Sequence, residues 1–163
     1  VFQPLQQDCF VVVCAPGHRM ARRRRLDWPT LAACTWLPQA VGSAAREVLD
    51  HQLSLIGAQP RTVPVLTRVS TLTVSLVESL DVLALVPLSV VQPWVDVGRL
   101  HVVDLQPAPP FRPLGLVKPA ERATRAAQTF IDFIEGFAAA RETVAPPPTR
   151  PRQPPKVAPR PNA

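Results

Sequence analysis

A chain of 163 residues, 47% hydrophobic and 18% charged, carries enough apolar side chain for one core and too little length for two. No apolar stretch reaches the roughly 18 residues of a membrane span, since the greasiest run, residues 82–91, is short and contains Pro87. The net charge of +6 is concentrated at the end, where Arg150, Arg152, Lys156 and Arg160 stand without an acid. The remainder is nearly neutral, which argues against a basic nucleic-acid-binding domain.

Residues 9–15 (CFVVVCA) are apolar without alternation, the pattern of a strand covered on both faces in a parallel sheet, and Pro16 and Gly17 end it. The basic run Arg22, Arg23, Arg24 and Arg25, preceded by Arg19 and followed by Asp27, Trp28 and Pro29, reads as a solvated loop. No aromatic residue interleaves with these arginines, as a single-strand nucleic-acid surface would require. Further strands are predicted at 35–37, 62–68, 83–86, 101–105 and 113–117.

Between them, residues 43–56 place Ala45, Val48, Leu49, Leu53 and Ile56 at helical spacing, with Gly57 where a left-handed cap is needed. Residues 70–80 form a second helix with Ser70 or Thr71 as N-cap and Thr73, Leu76, Val77 and Leu80 inward. Residues 88–95 are a shorter candidate. Near the end, Ala123, Ala126, Ala127, Phe130, Ile131, Ile134, Phe137 and Ala138 repeat at three and four, giving a long amphipathic helix. After Val144, eight of nineteen residues are proline and none is a large core residue, so this tail is expected to be disordered.

Strand and helix in short alternation predict a doubly wound α/β layer sandwich. In such folds ligands gather where strands end and helices begin. Two junctions are readable, residues 38–43 and 68–71. Both offer hydroxyls, free backbone N–H groups and the positive end of a helix dipole, while Arg68 adds a fixed cation. Together these suit a small anionic organic molecule. Ser43, Ser70 and Thr71 also have the simpler reading of caps for their own helices.

Catalysis has little support. His18, His51 and His101 lie in a turn, a helix and a strand start, with no nucleophile elbow, glycine-rich phosphate loop or carboxylate pair around them. Three cysteines suggest no disulfide framework and fit a reducing compartment. Cys9, Cys14, His18 and Cys34 could be drawn as a metal cluster, but Cys9 and Cys14 sit five apart in a strand and face opposite sides. No metal and no cofactor are expected.

In order and spacing, the sequence resembles the regulatory domain of LysR-type transcriptional regulators over nearly all of residues 1–134. VFQPL with FVVVCAPGHRMA is similar to the family's strand entering its second subdomain and the turn after it. Leu26 to Leu31 with Trp36, Leu37 and Pro38, the helix closing on Gly57 and Pro60, residues 70–87 (STLTVSLVESLDVLALVP), Gly98 with Leu100, and Leu114 to Val117 with Ala126, Ala127, Phe130 and Ile131 continue the likeness. Leu80, Asp81 and Val82 stand where many members have glycines, and the usual proline after His18 is missing, so the effector class cannot be borrowed.

The resemblance implies a Rossmann-like fold of the periplasmic-binding-protein type II, with a parallel or mixed sheet flanked by helices, plus a C-terminal helix and a disordered tail. It implies an effector-binding regulatory domain over 1–141. Within it, a complete second subdomain runs about 14–112, and the return strand and last helix of the first subdomain occupy 113–141. A Pro/Arg-rich tail follows at 142–163. Two strands would cross between subdomains near 7–13 and 113–117. A small anionic organic effector would bind at Gly42, Ser43, Arg68, Val69, Ser70 and Thr71. The protein would be a cytoplasmic homo-oligomer, a dimer or tetramer, without enzyme activity or membrane contact. It would reach DNA only through a winged helix-turn-helix expected upstream of Val1, together with a linker helix and most of the first subdomain. Half a cleft should bind weakly and leave the last helix with exposed apolar surface. One lobe of a solute-binding transport protein is the alternative; an upstream signal peptide would favour that, and an upstream helix-turn-helix the regulator.

Overall fold

The computed structural model describes residues 2–6, 8–109, 111, 113–118 and 124–142. The proline-rich tail lies outside them. Helices and strands alternate as expected: β1 (Phe2–Gln6), β2 (Phe10–Cys14), a 3-10 turn (Arg19–Arg22), α1 (Trp28–Ala32), β3 (Thr35–Trp36), α2 (Ala44–Leu55), β4 (Arg61–Thr62), α3 (Ser70–Ser79), β5 (Ala84–Pro87), α4 (Leu88–Asp96), β6 (His101–Val102), β7 (Leu114–Val117) and α5 (Arg125–Glu142).

The strand at residues 10–14 is the middle of the main sheet, but its neighbours run against it. β2 is antiparallel to β5 and to β6, whereas β3 and β4 are parallel to each other. Leu83 joins β3 to β5 in parallel through Trp36, with Leu37 N–H on Leu83 O at 2.8 Å and Leu83 N–H on Thr35 O at 2.9 Å. The order is therefore β4, β3, β5, β2, β6, and β2 alone points the other way. An unbroken apolar run reports burial on two faces and not direction, so the parallel expectation for this strand is corrected. The mixed sheet stands.

Alternation along the strands divides the core. Val12, Cys14, Trp36, Leu83 and Leu85 face α1 and α2, where Leu31, Leu49 and Leu53 meet them. Val13, Leu37, Ala84 and Val86 face α3 and α4, where Val74, Val77 and Val91 meet them. Each fully buried valine or leucine contributes about 1.5–3 kcal/mol over its exposed state. Trp36 is the largest fully buried side chain; its indole N–H donates to Leu31 O at 3.0 Å, and its ring stacks on Trp28 with centroids 6.3 Å apart.

Several local expectations change. Asp27, Trp28 and Pro29, which flank the basic run, open a helix not predicted from the sequence: the Asp27 carboxylate accepts from Thr30 N–H at 3.0 Å and caps α1, with proline in the first turn and Trp28 buried. The predicted strand at 62–68 shrinks to two residues and a bridge at Thr67, because Pro64 has no N–H to offer a ladder. Val69, not Ser70 or Thr71, is the N-cap of α3, and Leu80 is its exposed C-cap. Ile56 is likewise exposed, one residue past α2. The Gly57 cap is found as expected. Gly57 has φ +63, its N–H meets Ser54 O at 3.0 Å, and Ala58 N–H meets Leu53 O at 3.0 Å, which closes α2 in a Schellman motif.

A separate two-stranded ribbon pairs β1 with β7 in antiparallel fashion, and α5 packs against β1. The return strand is thus partnered by residues 2–6, while residues 8 and 9 bridge from the ribbon to β2. Over residues 125–140 of α5 only Ile131 is buried; Phe130, Phe133 and Phe137 are exposed, as the sequence led one to expect of this helix.

Two predictions follow from packing. A Cβ at Gly115 would collide with the backbone oxygen of Gln3 and the ring of Phe2. Gly115→Ala should therefore cost roughly 1–3 kcal/mol. Hydrogen exchange should quicken across residues 2–6 while residues 10–14 stay protected; unchanged exchange in the ribbon would refute the packing. The second concerns His18, which is buried, takes Met20 N–H on Nδ1 at 3.1 Å and places Nε2 3.2 Å from Asp81. Burial lowers its pKa, against the pull of Asp81 and with a smaller push from Arg19, and burial lowers that of His101 too. Both fold in the neutral form, so stability is complete above about pH 6.5 and is lost as pH falls below it. His18→Asn should flatten that slope in melting curves between pH 7.5 and 5.

Candidate functional site

β3, β4 and β5 all end at one rim of the main sheet, and β2, being reversed, begins there: Phe10 lies opposite Pro87. Past its two-residue ladder the β3–β4 pairing continues as a parallel bridge between Gln39 and Thr67. The two junctions read from the sequence therefore leave the sheet side by side, on the same rim.

Between α3 and α4 this rim holds a pocket of about 120 Å3. Gln39, Arg68, Ser70 and Thr73 form its polar side, and Val86, Pro87, Val90 and Val91 its apolar side. The Gln39 amide nitrogen is buried and has no hydrogen-bond partner among the described residues. Such a donor costs about 1–3 kcal/mol unless something fills it. Arg68 is exposed and makes no ion pair among the described residues.

The two helices at this pocket begin differently. α3 starts after Val69, which has no side chain to cap with; the Thr67 hydroxyl accepts from Val69 N–H at 3.0 Å and the Thr73 hydroxyl turns back to Val69 O at 3.3 Å. The N–H groups of Ser70, Thr71 and Leu72 have no hydrogen-bond partner among the described residues. α4 starts after Pro87, equally without a cap, but its end is already occupied. Leu88 N–H donates to Cys9 O at 2.8 Å, and the Asp8 carboxylate takes Ser89 N–H at 3.2 Å and the Ser89 hydroxyl at 2.6 Å. One helix terminus thus carries its own anion and the other does not.

Of the residues expected from the sequence, Arg68 and Ser70 line this pocket. Val69 is the α3 cap residue and Thr71 follows in the first turn. Ser43 caps α2 by accepting Arg46 N–H at 3.3 Å, and Gly42, at φ +79, makes the turn before it; neither lines the pocket. Gln39 falls inside the first junction, but nothing in its identity signals an unpartnered amide. Thr73 was legible as an inward position without its role.

A second, wider groove of about 420 Å3 runs along α2 and residues 57–62. Its one arginine, Arg46, is paired with Asp50 at 2.6 Å, so it offers no uncompensated charge. Cys9, Cys14, His18 and Cys34 form no metal-holding group among the described residues. Burial, with Cys34 and Asp81 adding, pushes the Cys14 thiol up to about 12, so it stays protonated and is no nucleophile. No helix among the described residues is long and apolar enough to cross a membrane.

The model of the LysR substrate binding domain matches residues 1–139. No curated protein sequence matches. Among solved structures, the CcmR regulatory domain of Synechocystis PCC6803 in complex with 2-PG is similar at TM-score 0.74 and 14% identity, over 85% of this chain and 66% of that one. The effector binding domain of QuiR in complex with shikimate gives 0.65 and 21%, over 86% and 66%. The regulatory domain of MetR, a LysR family regulator from N. meningitidis, gives 0.66 and 18%, over 86% and 64%. The chain thus spans just under two thirds of the length of these domains, and the transport-lobe alternative is not favoured. Its fold is theirs, and the chain belongs to the LysR substrate-binding-domain family.

Proposed function

We propose that this chain is the effector-sensing part of a LysR-type transcriptional regulator, and that the pocket between α3 and α4 grips the anionic group of a small organic effector. One observation carries the reading: a guanidinium, a helix N-terminus and an amide donor, none of them partnered among the described residues, surround the same small space. Arg68 supplies the charge, the N–H groups at the start of α3 supply direction, and Gln39 Nε2 needs an acceptor. Asp8 at α4 repels a second anion, so the anionic end is steered to α3. Val86, Val90 and Val91 then face the effector's carbon skeleton.

The remaining parts of the reading rest on the family. The protein works in the cytoplasm as a homo-oligomer, performs no catalysis and touches DNA through an N-terminal winged helix-turn-helix. Gly42 and Ser43 shape the rim rather than touch the effector. Residues 14–112 act as one subdomain, and residues 113–141 belong with the other. Binding shifts the protein between arrangements only as far as the effector prefers one of them.

The test is a thermal-shift and calorimetric screen of the complete regulator against short hydroxy-acids and phosphorylated acids. Arg68→Ala should weaken any ligand found by about 10- to 150-fold, the range for a hydrogen bond to a charged group at 1.5–3 kcal/mol. Gln39→Leu should weaken it less, and Ser43→Ala should lower stability by about 1 kcal/mol while leaving affinity alone. Ligand binding indifferent to Arg68 and Gln39 would remove the pocket from consideration.

A further inference from the structure

From the turn after β2 we infer a docking surface for the phosphate backbone of double-stranded nucleic acid, formed by Arg22, Arg23, Arg24 and Arg25. All four are exposed. The ion pairs of the described residues use His18, Arg46, Arg99 and Lys118, and none uses this run. The two nearby carboxylates accept from backbone N–H groups: Asp27 from Thr30 at 3.0 Å, and Asp104 from Arg25 at 3.1 Å. Four guanidinium groups in succession repel one another, and no ion pair among the described residues holds any of them.

The turn is nevertheless firmly mounted. Met20 is buried before it and Leu26 after it; Leu26 bridges to Leu105, with its N–H on Asp104 O at 2.8 Å and its carbonyl taking Gln106 N–H at 2.9 Å. Within four residues the backbone passes from 3-10 at Arg22 through extended at Arg23 to φ +52 at Arg25, a conformation that side-chain-bearing residues rarely adopt. Arg25 is held there by its bond to Asp104.

The location excludes service to the effector pocket. Leu26 extends the sheet beyond β6, whereas the pocket lies at the β3–β5 end, with β2 and β6 between. The partner class follows from chemistry. Guanidinium forks match phosphate oxygens, and a row of four suits a repeating polyanion better than a single carboxylate. The absence of interleaved aromatics favours duplex over single strand. In a transcriptional regulator the duplex is already at hand, so even weak contacts would count.

The experiment uses residues 1–163 and a fluorescent 20-base-pair duplex of arbitrary sequence, with anisotropy titrations between 20 and 200 mM KCl. Arg150, Arg152, Lys156 and Arg160 are changed to Gln in a parallel background, to separate the tail's charges from those of the turn. Arg22→Gln, Arg23→Gln and Arg24→Gln together should lower the slope of log affinity against log salt by about 2–3, at about 0.9 per phosphate contact, in both backgrounds. The corresponding Lys triple should keep the slope. No duplex binding at 20 mM, an unchanged slope in the Gln triple, or stronger binding to polyglutamate or phosphatidylserine vesicles than to the duplex would each overturn the proposal.

Discussion

Val12 and Val13 cannot both be buried by one layer of helices, because neighbouring side chains on a strand point to opposite faces. The segment from Phe10 to Cys14 therefore demands cover above and below, and the chain meets that demand with α1 and α2 on one side and α3 and α4 on the other. Running β2 against its neighbours has a further effect. The strand starts at the rim where β3, β4 and β5 finish, so the link from the ribbon arrives among the helix starts that frame the pocket. Were β2 parallel, that link would enter at the far rim.

What the sequence made legible was whatever period and capping chemistry encode. The inward stripe of α2 at Ala45, Leu49 and Leu53, its Ser43 cap and its Gly57 stop are all local signals. The site was half legible for the same reason: helix starts can be read, and Arg68 and Ser70 sit at one. What escaped was tertiary. Strand direction in β2, the cap that Asp8 lends to α4, and the empty hydrogen-bonding position of Gln39 each depend on residues far apart in the chain. The α3 N-cap lies one or two positions before the expected Ser70 or Thr71 because Thr67 and Thr73 organise the turn around Val69 from both sides, which leaves Ser70 inside the helix.

The ribbon and α5 show the opposite balance. Their pairing is tight enough that Gly115 leaves no room for a methyl, yet the aromatic row of Phe130, Phe133 and Phe137 faces outward, with the rings of Phe133 and Phe137 stacked 6.4 Å apart. A contiguous apolar strip of this kind is uncommon on a self-sufficient monomer.

Asp8 and Ser89 are 81 positions apart, yet a single carboxylate links the segment leaving the ribbon to the first turn of α4. Read along the chain, position 8 lies far from the residues that line the pocket beside α4. In three dimensions it is a neighbour. A tilt of the ribbon that drags on this carboxylate would also disturb the first turn of α4, a wall of the candidate pocket, so lever and pocket share one joint.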